Sequence, residues 1–117
     1  MTTTPSPRSP LKPVEFLVLA VLADEASHGY GIVQQIAERT GGRVALRPGD
    51  VYRVIYRLDE RGLLCKDDER VDDTDDERRT YYRITAAGRE LVRDEAEMLA
   101  RVSAAVVSSA GGRGANR

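Results

Sequence analysis

Residues 46–64 read LRPGDVYRVIYRLDERGLL, and the reading of this run decides the fold. Pro48-Gly49-Asp50 is a helix start: a pre-set φ, a flexible residue and a carboxylate near the positive helix end. Val51, Val54, Ile55 and Leu58 recur at three- and four-residue spacing and define one apolar face. Arg53, Tyr56, Arg57 and the run Asp59-Glu60-Arg61 take the remaining surface, and Gly62 stands where a helix C-terminal glycine belongs. A short helix with a buried stripe and an Arg/Tyr outer face fits a DNA major groove. By itself that pattern is weakly specific, and the flanking segments carry the rest.

N-terminal to this run, Pro13 opens a helix expected to reach about Ala23. Its Phe16, Leu17, Val18, Leu19, Val21 and Leu22 leave almost no polar face, so it should be covered on several sides. After Asp24-Glu25-Ala26, Ser27 is the expected cap of a second helix through HGYGIVQQIAERTGG. Ile32, Val33, Ile36 and Ala37 form its buried stripe, and Gly41-Gly42 ends it. Gly29 and Gly31 cost helix stability, which points to close approach of a neighbouring helix or a phosphate. Arg43 to Leu46 reads as a small strand.

C-terminal to the run, Leu63 to Lys66 and Arg78 to Thr85 read as two strands. Tyr82 and Ile84 share one face, Tyr81 and Arg83 the other. Between them, residues 67–77 (DDERVDDTDDE) carry eight acids against Arg70 alone and suit a solvated loop. Together these make a β-hairpin wing. Thr85 then caps a helix from about Ala86 to Ser109. Leu91, Met98 and Ala105 lie seven apart, as do Val92, Leu99 and Val106, with Val102 between. Such a helix, about 35 Å long at 1.5 Å per residue, cannot hide its whole stripe on a small domain. Its simplest partner is the same helix of a second subunit.

The expected divisions are therefore a tail over 1–10, a winged helix-turn-helix over 11–85, a dimerisation helix over 86–109 and a tail over 110–117. The fold class is mainly α with a small β-hairpin. Composition agrees: 117 residues, 41% hydrophobic and 32% charged, suit one soluble domain. Net charge is only −1, so any affinity for nucleic acid must come from the arrangement of charges. One cysteine, Cys65, and one histidine, His28, allow neither an internal disulfide nor a metal set. Cys65 reads as a small core hydrophobe and His28 as a cap-region or surface residue. The longest apolar run, Phe16 to Ala23, is far short of the ~20 residues of a membrane helix. A cytoplasmic protein with no membrane association and no cofactor is expected. No nucleophile–base pair or phosphate-cradling glycine loop is visible, which argues against an enzyme.

HGYGI at 28–32, PGDVYRVIYRLDERGLL at 48–64, RRTYYRIT at 78–85 and AAGREL at 86–91 resemble the PadR family of bacterial transcriptional regulators, and its short subgroup in particular. The likeness covers about Leu11 to Leu99. It implies a homodimer that binds double-stranded DNA at a palindromic operator, usually to repress nearby genes. Carried over, the DNA-binding residues are Asp50, Tyr52, Arg53, Tyr56 and Arg57 of the third helix, Arg79 of the wing, and Tyr30; the acidic wing loop leaves Arg78, beside Arg79, as a further expected backbone contact. Tyr52 serves either phosphate contact or packing under the wing; Tyr30 is the more structural of the two.

The likeness also implies a small hydrophobic effector between the long helix and the DNA-binding part. Candidate residues are Leu11, Val14, Glu15, Glu95, Met98, Leu99 and Val102, and the absence of Trp excludes a tryptophan-stacking pocket. The dimerisation set is Leu91, Val92, Met98, Leu99, Val102, Ala105 and Val106. Two residues depart from the family pattern. Asp50 stands where Thr or Ser is usual, and Tyr56 where Lys or Arg is common, which removes one counterion-releasing charge. The alternative function is a winged-helix module whose third helix meets another protein.

Overall fold

Pro13 at the first helical position opens α1, Pro13–Asp24, and the Lys12 amide donates to Glu15 Oε1 at 2.8 Å. That bond is one half of a capping box. The computed structural model describes residues 10–68 and 80–115. The chain continues as β1 Ser27–His28, α2 Gly29–Arg39, α3 Pro48–Glu60, β2 Leu64–Lys66, β3 Tyr81–Ile84 and α4 Ala86–Ala115. With almost no polar face, α1 becomes the central element and touches α2, α3, α4 and β3. Val18, Leu19, Val21 and Leu22 of α1 meet Ile32 and Ile36 of α2, and Val51, Val54, Ile55 and Leu58 of α3, in one core.

Two helix ends follow the glycines. Gly41 and Gly42 adopt φ of 62° and 82°; the Gly42 amide reaches the Ala37 carbonyl and Gly41 that of Glu38. Gly62, at φ 73°, ends α3 the same way, with Leu63 bonded to Leu58 and Gly62 to Asp59. Both are paired bonds that satisfy otherwise orphaned helix carbonyls.

Several sequence expectations are corrected. Arg43 to Leu46 is not a strand; it is an extended link, tied where Thr40 Oγ1 accepts from the Val44 amide at 3.0 Å. The third strand is instead Ser27–His28, and the sheet order is β1-β3-β2, all antiparallel. Ser27 faces Tyr82 and His28 faces Tyr81, while Leu64, Cys65 and Lys66 face Ile84, Arg83 and Tyr82. A two-residue strand has no periodicity to read, and only the nearby free edge of β3 makes it one.

The cap of α2 also moves by one residue. His28 Nδ1, not Ser27, accepts from the Gly31 amide at 3.0 Å. Cys65 is half-buried in β2 rather than a core residue. Thr85 does cap α4: its Oγ1 accepts from the Gly88 amide at 3.1 Å and donates to the Gly62 carbonyl at 2.6 Å.

The helix α4 runs to Ala115, past the expected end at Ser109. It is docked only at its start, where Gly88, Leu91, Val92 and Glu95 are buried; every side chain from Ala96 to Ser109 is exposed. The acidic loop tip, Arg78 and Arg79, and residues 1–9 lie outside the described residues.

Candidate nucleic-acid interface

The face of α3 away from the core carries the charged and tyrosine side chains. Val51, Val54, Ile55 and Leu58 are at most 5% exposed, whereas Tyr56 is 66% exposed. The helix is therefore anchored on one side and open on the other. Arg53 Nη2 lies 3.3 Å from Asp50 Oδ1, an i,i+3 ion pair with both side chains in solvent. Arg57 turns its Nε toward Glu15 Oε2 of α1 at 3.8 Å, and Arg61 Nη1 lies 3.8 Å from Glu15 Oε1. Both exposed arginines thus have an acid of the same chain beside them.

An open groove of about 360 Å³ separates the start of α1 from α3. Lys12, Val14 and Glu15 line one wall; Asp50, Arg53, Val54 and Arg57 line the other. Asp50, Arg53 and Arg57 are therefore gathered in one place, and Val14 and Glu15 lie beside them. Tyr30, 48% exposed, is on α2 instead.

Tyr52 explains one of the early glycines of α2. A Cβ at Gly29 would sit 2.6 Å from the Tyr52 ring, so that glycine admits the tyrosine against the backbone. A Cβ at Gly31 would meet Ser27 Oγ at 2.3 Å, a local contact within the cap. Neighbouring side chains account for both. Tyr52 is half-buried and packs on the core together with Tyr82. Burial pushes the Tyr82 phenol above its ordinary range, and the nearby Tyr52 and Asp59 add to the effect.

The seven effector candidates separate into two groups. Leu11, Val14, Glu15 and Glu95 lie where the N-terminal segment meets α1 and α4, and the Leu11 amide donates to Glu95 Oε1 at 2.5 Å. Glu15 and Glu95 are buried, at 4% and 9% exposure, and engaged with backbone amides. Met98, Leu99 and Val102 lie beyond, on the exposed part of α4. Of the expected dimerisation set, Leu91 and Val92 belong to the chain's own core, while Met98, Leu99, Val102, Ala105 and Val106 stand in solvent.

Sequence reasoning missed Gly88 and the inward turn of Arg61, and it did not join Glu15 to α3; the close approach it expected at Gly29 is made by Tyr52 of α3. Glu15 carried one signal: it is the single charge between Val14 and Ala23 on an otherwise apolar helix. Among the described residues no group of His, Cys, Asp and Glu can hold a metal ion, and no helix is long and apolar enough to cross a membrane.

The chain resembles known proteins in sequence and in fold. An uncharacterised 37.1 kDa protein of a transposon in Streptomyces fradiae is 38% identical over 96 residues; the match covers 82% of this chain and 26% of that protein. The chain thus spans about a quarter of that relative's length. A transcriptional regulator from Clostridium thermocellum is 25% identical at a TM-score of 0.66, covering 81% of this chain and 87% of its own. The Bacillus subtilis PadR solved with operator DNA shares the fold at a TM-score of 0.62 and 18% identity, over 73% of this chain and 47% of that one. The profile of the PadR-like transcriptional regulators matches residues 18–94, from the middle of α1 to the docked start of α4, and the chain belongs to that family.

Proposed function

We infer that the protein is a homodimeric, sequence-specific DNA-binding regulator that reads a two-fold symmetric operator with α3 and represses the adjacent promoter. The observation that carries this is the two-sided character of α3. Its apolar side is locked into the core, while Arg53, Tyr56 and Arg57 stand outward. Arginine reads guanine O6 and N7 with two hydrogen bonds, and Tyr52 and Tyr30 offer hydroxyls to phosphate. Arg78 and Arg79 add backbone contacts from the wing. Met98, Leu99, Val102, Ala105 and Val106 supply the dimer seam, which sets the two reading helices about one DNA turn apart. A small apolar effector between α4 and the DNA-binding part would release DNA by favouring a second dimer geometry. The cytoplasm is where such a regulator meets its DNA.

The test is selection of bound fragments from the source genome at moderate salt with excess competitor. Arg53→Ala/Arg57→Ala protein runs beside the wild type. Enrichment of a palindromic upstream region by the wild type alone is expected; no enrichment over competitor would sink the reading. A protein-interaction role for α3 is the second reading. It is favoured by the net charge of −1 and by the acids beside both arginines. The slope of log affinity against log salt separates the two, because only phosphate contacts make it steep.

A further inference from the structure

A charged side chain at 4% exposure on an otherwise apolar helix requires a physical reason, and Glu15 of α1 is one. Part of that reason is local, since Oε1 accepts the Lys12 amide at 2.8 Å. A helix cap does not by itself call for burial, and the carboxylate also faces α3. Oε2 lies 3.8 Å from Arg57 Nε, and Oε1 lies 3.8 Å from Arg61 Nη1. One buried acid therefore meets two guanidiniums four residues apart, Arg57 in the last turn of the reading helix and Arg61 at its C-cap.

The geometry at Arg57 has a chemical meaning. Its side chain is 49% exposed, and the edge turned to Glu15 is Nε. At 3.8 Å this is an ion pair, longer than a hydrogen bond; the electrostatic anchor draws the Nε edge toward Glu15 and leaves the terminal Nη pair for a bidentate acceptor. An arginine without that anchor grips any phosphate within reach. A nearby carboxylate also lowers the attraction for phosphate without removing the hydrogen-bonding fork.

We propose that Glu15 is a positioning residue for base recognition: it holds Arg57 by its Nε edge and so presents the Nη pair of that side chain to a guanine edge. The proposal rests on the reading of α3 as the DNA-reading helix. Glu15 touches no base. It acts through Arg57, and its effect is on discrimination between sequences more than on total affinity.

Glu15→Gln tests this, because the amide keeps the volume and an oxygen for the Lys12 amide while removing the charge. Affinity for the selected operator and for a scrambled duplex is measured over a range of salt, in wild type, Glu15→Gln, Arg57→Ala and the double variant. Glu15→Gln should lower the operator-to-scrambled ratio about tenfold, within the range of one lost bidentate base contact. Scrambled-duplex affinity should hold or rise, with a steeper salt dependence as Arg57 turns to phosphate. In the Arg57→Ala background, Glu15→Gln should change nothing further. An unchanged ratio in Glu15→Gln, or an equal loss with and without Arg57, overturns the proposal. No preference in the wild type overturns both this and the DNA-binding reading. Thermal unfolding is followed for each variant. Should Glu15→Gln not fold, Glu15→Asp, which keeps the charge but draws the carboxylate back from Arg57 by one methylene, should lower the operator-to-scrambled ratio in the same direction, and an unchanged ratio there overturns the proposal.

Discussion

Arg53 and Arg57 each have an acid within ion-pairing distance, but the two acids sit in different surroundings. Asp50 is half-exposed, and its pair with Arg53 is a surface pair, worth about 0–1 kcal/mol and weakened by salt. Such a pair costs little to break when DNA arrives. Asp50 still places a negative charge at the start of α3, the end that the proposed DNA-reading role turns toward phosphate. Asp50→Asn should therefore tighten binding to any duplex and steepen the salt slope by about 0.9 for one added phosphate contact. An unchanged slope would mean that Arg53 does not reach phosphate. Tyr82 yields a pH prediction. Its phenol is pushed above the ordinary value near 10 in the folded protein. Below about pH 10 both states are neutral and this contribution is intact. As pH rises further the unfolded chain ionises first, so stability falls until the raised folded value is passed. Tyr82→Phe should remove that part of the alkaline loss, read as a smaller fall in urea midpoint between about pH 9 and 11. Equal falls in both proteins would contradict it.

At the scale of elements, glycines decide how helices meet. Gly88 lies in the first turn of α4, and a Cβ there would stand 2.0 Å from the Leu63 carbonyl oxygen and 2.9 Å from Ile84 Cγ1. An alanine in a helix normally gains about 0.5–1 kcal/mol over glycine. Here the sign reverses, because backbone cannot move aside as a flexible side chain can. Gly88→Ala should cost about 1–3 kcal/mol, measured by denaturant unfolding; a stabilised variant would show that α4 can dock differently. His28 serves α2 and the sheet together. Its Nδ1 caps the helix, and its ring stands edge-on to Tyr81 with centroids 5.2 Å apart. His28→Ala should lose about 0.5–2 kcal/mol as a cap, with the same unfolding measurement as the check.

The whole molecule is extended, 60 × 41 × 21 Å, because most of α4 leaves the domain. The stripe on α4 begins inside the domain core with Leu91 and Val92 and continues in solvent with Met98, Leu99, Val102 and Val106. A row of apolar side chains on an undocked helix marks an interaction surface, and in the proposed homodimer a second copy of the same stripe covers it. Val102→Glu/Val106→Glu should yield monomers in sedimentation equilibrium and weaken operator binding, because two half-sites are no longer read together. A dimer that survives both charges would place the seam elsewhere.

Much of this protein was legible from local chemistry. Proline starts, glycine stops and three- to four-residue apolar spacing marked α1, α2, α3 and the start of α4, because those signals act within one turn of helix. The exposed face of α3 followed from the same spacing. Tertiary structure alone decided the rest. Ser27–His28 is a strand only because β3 offers it an edge, and Arg43 to Leu46 is not one because it has no such neighbour. Gly29 and Gly88 are required by Tyr52 and Leu63, residues distant in sequence. Glu15 reads locally as a first-turn acid, and only the packing of α1 on α3 sets it against Arg57 and Arg61. Periodicity shows which side of a helix is buried. It carries no information about which residue of another element faces that side, since this depends on how the helices cross and not on either sequence alone.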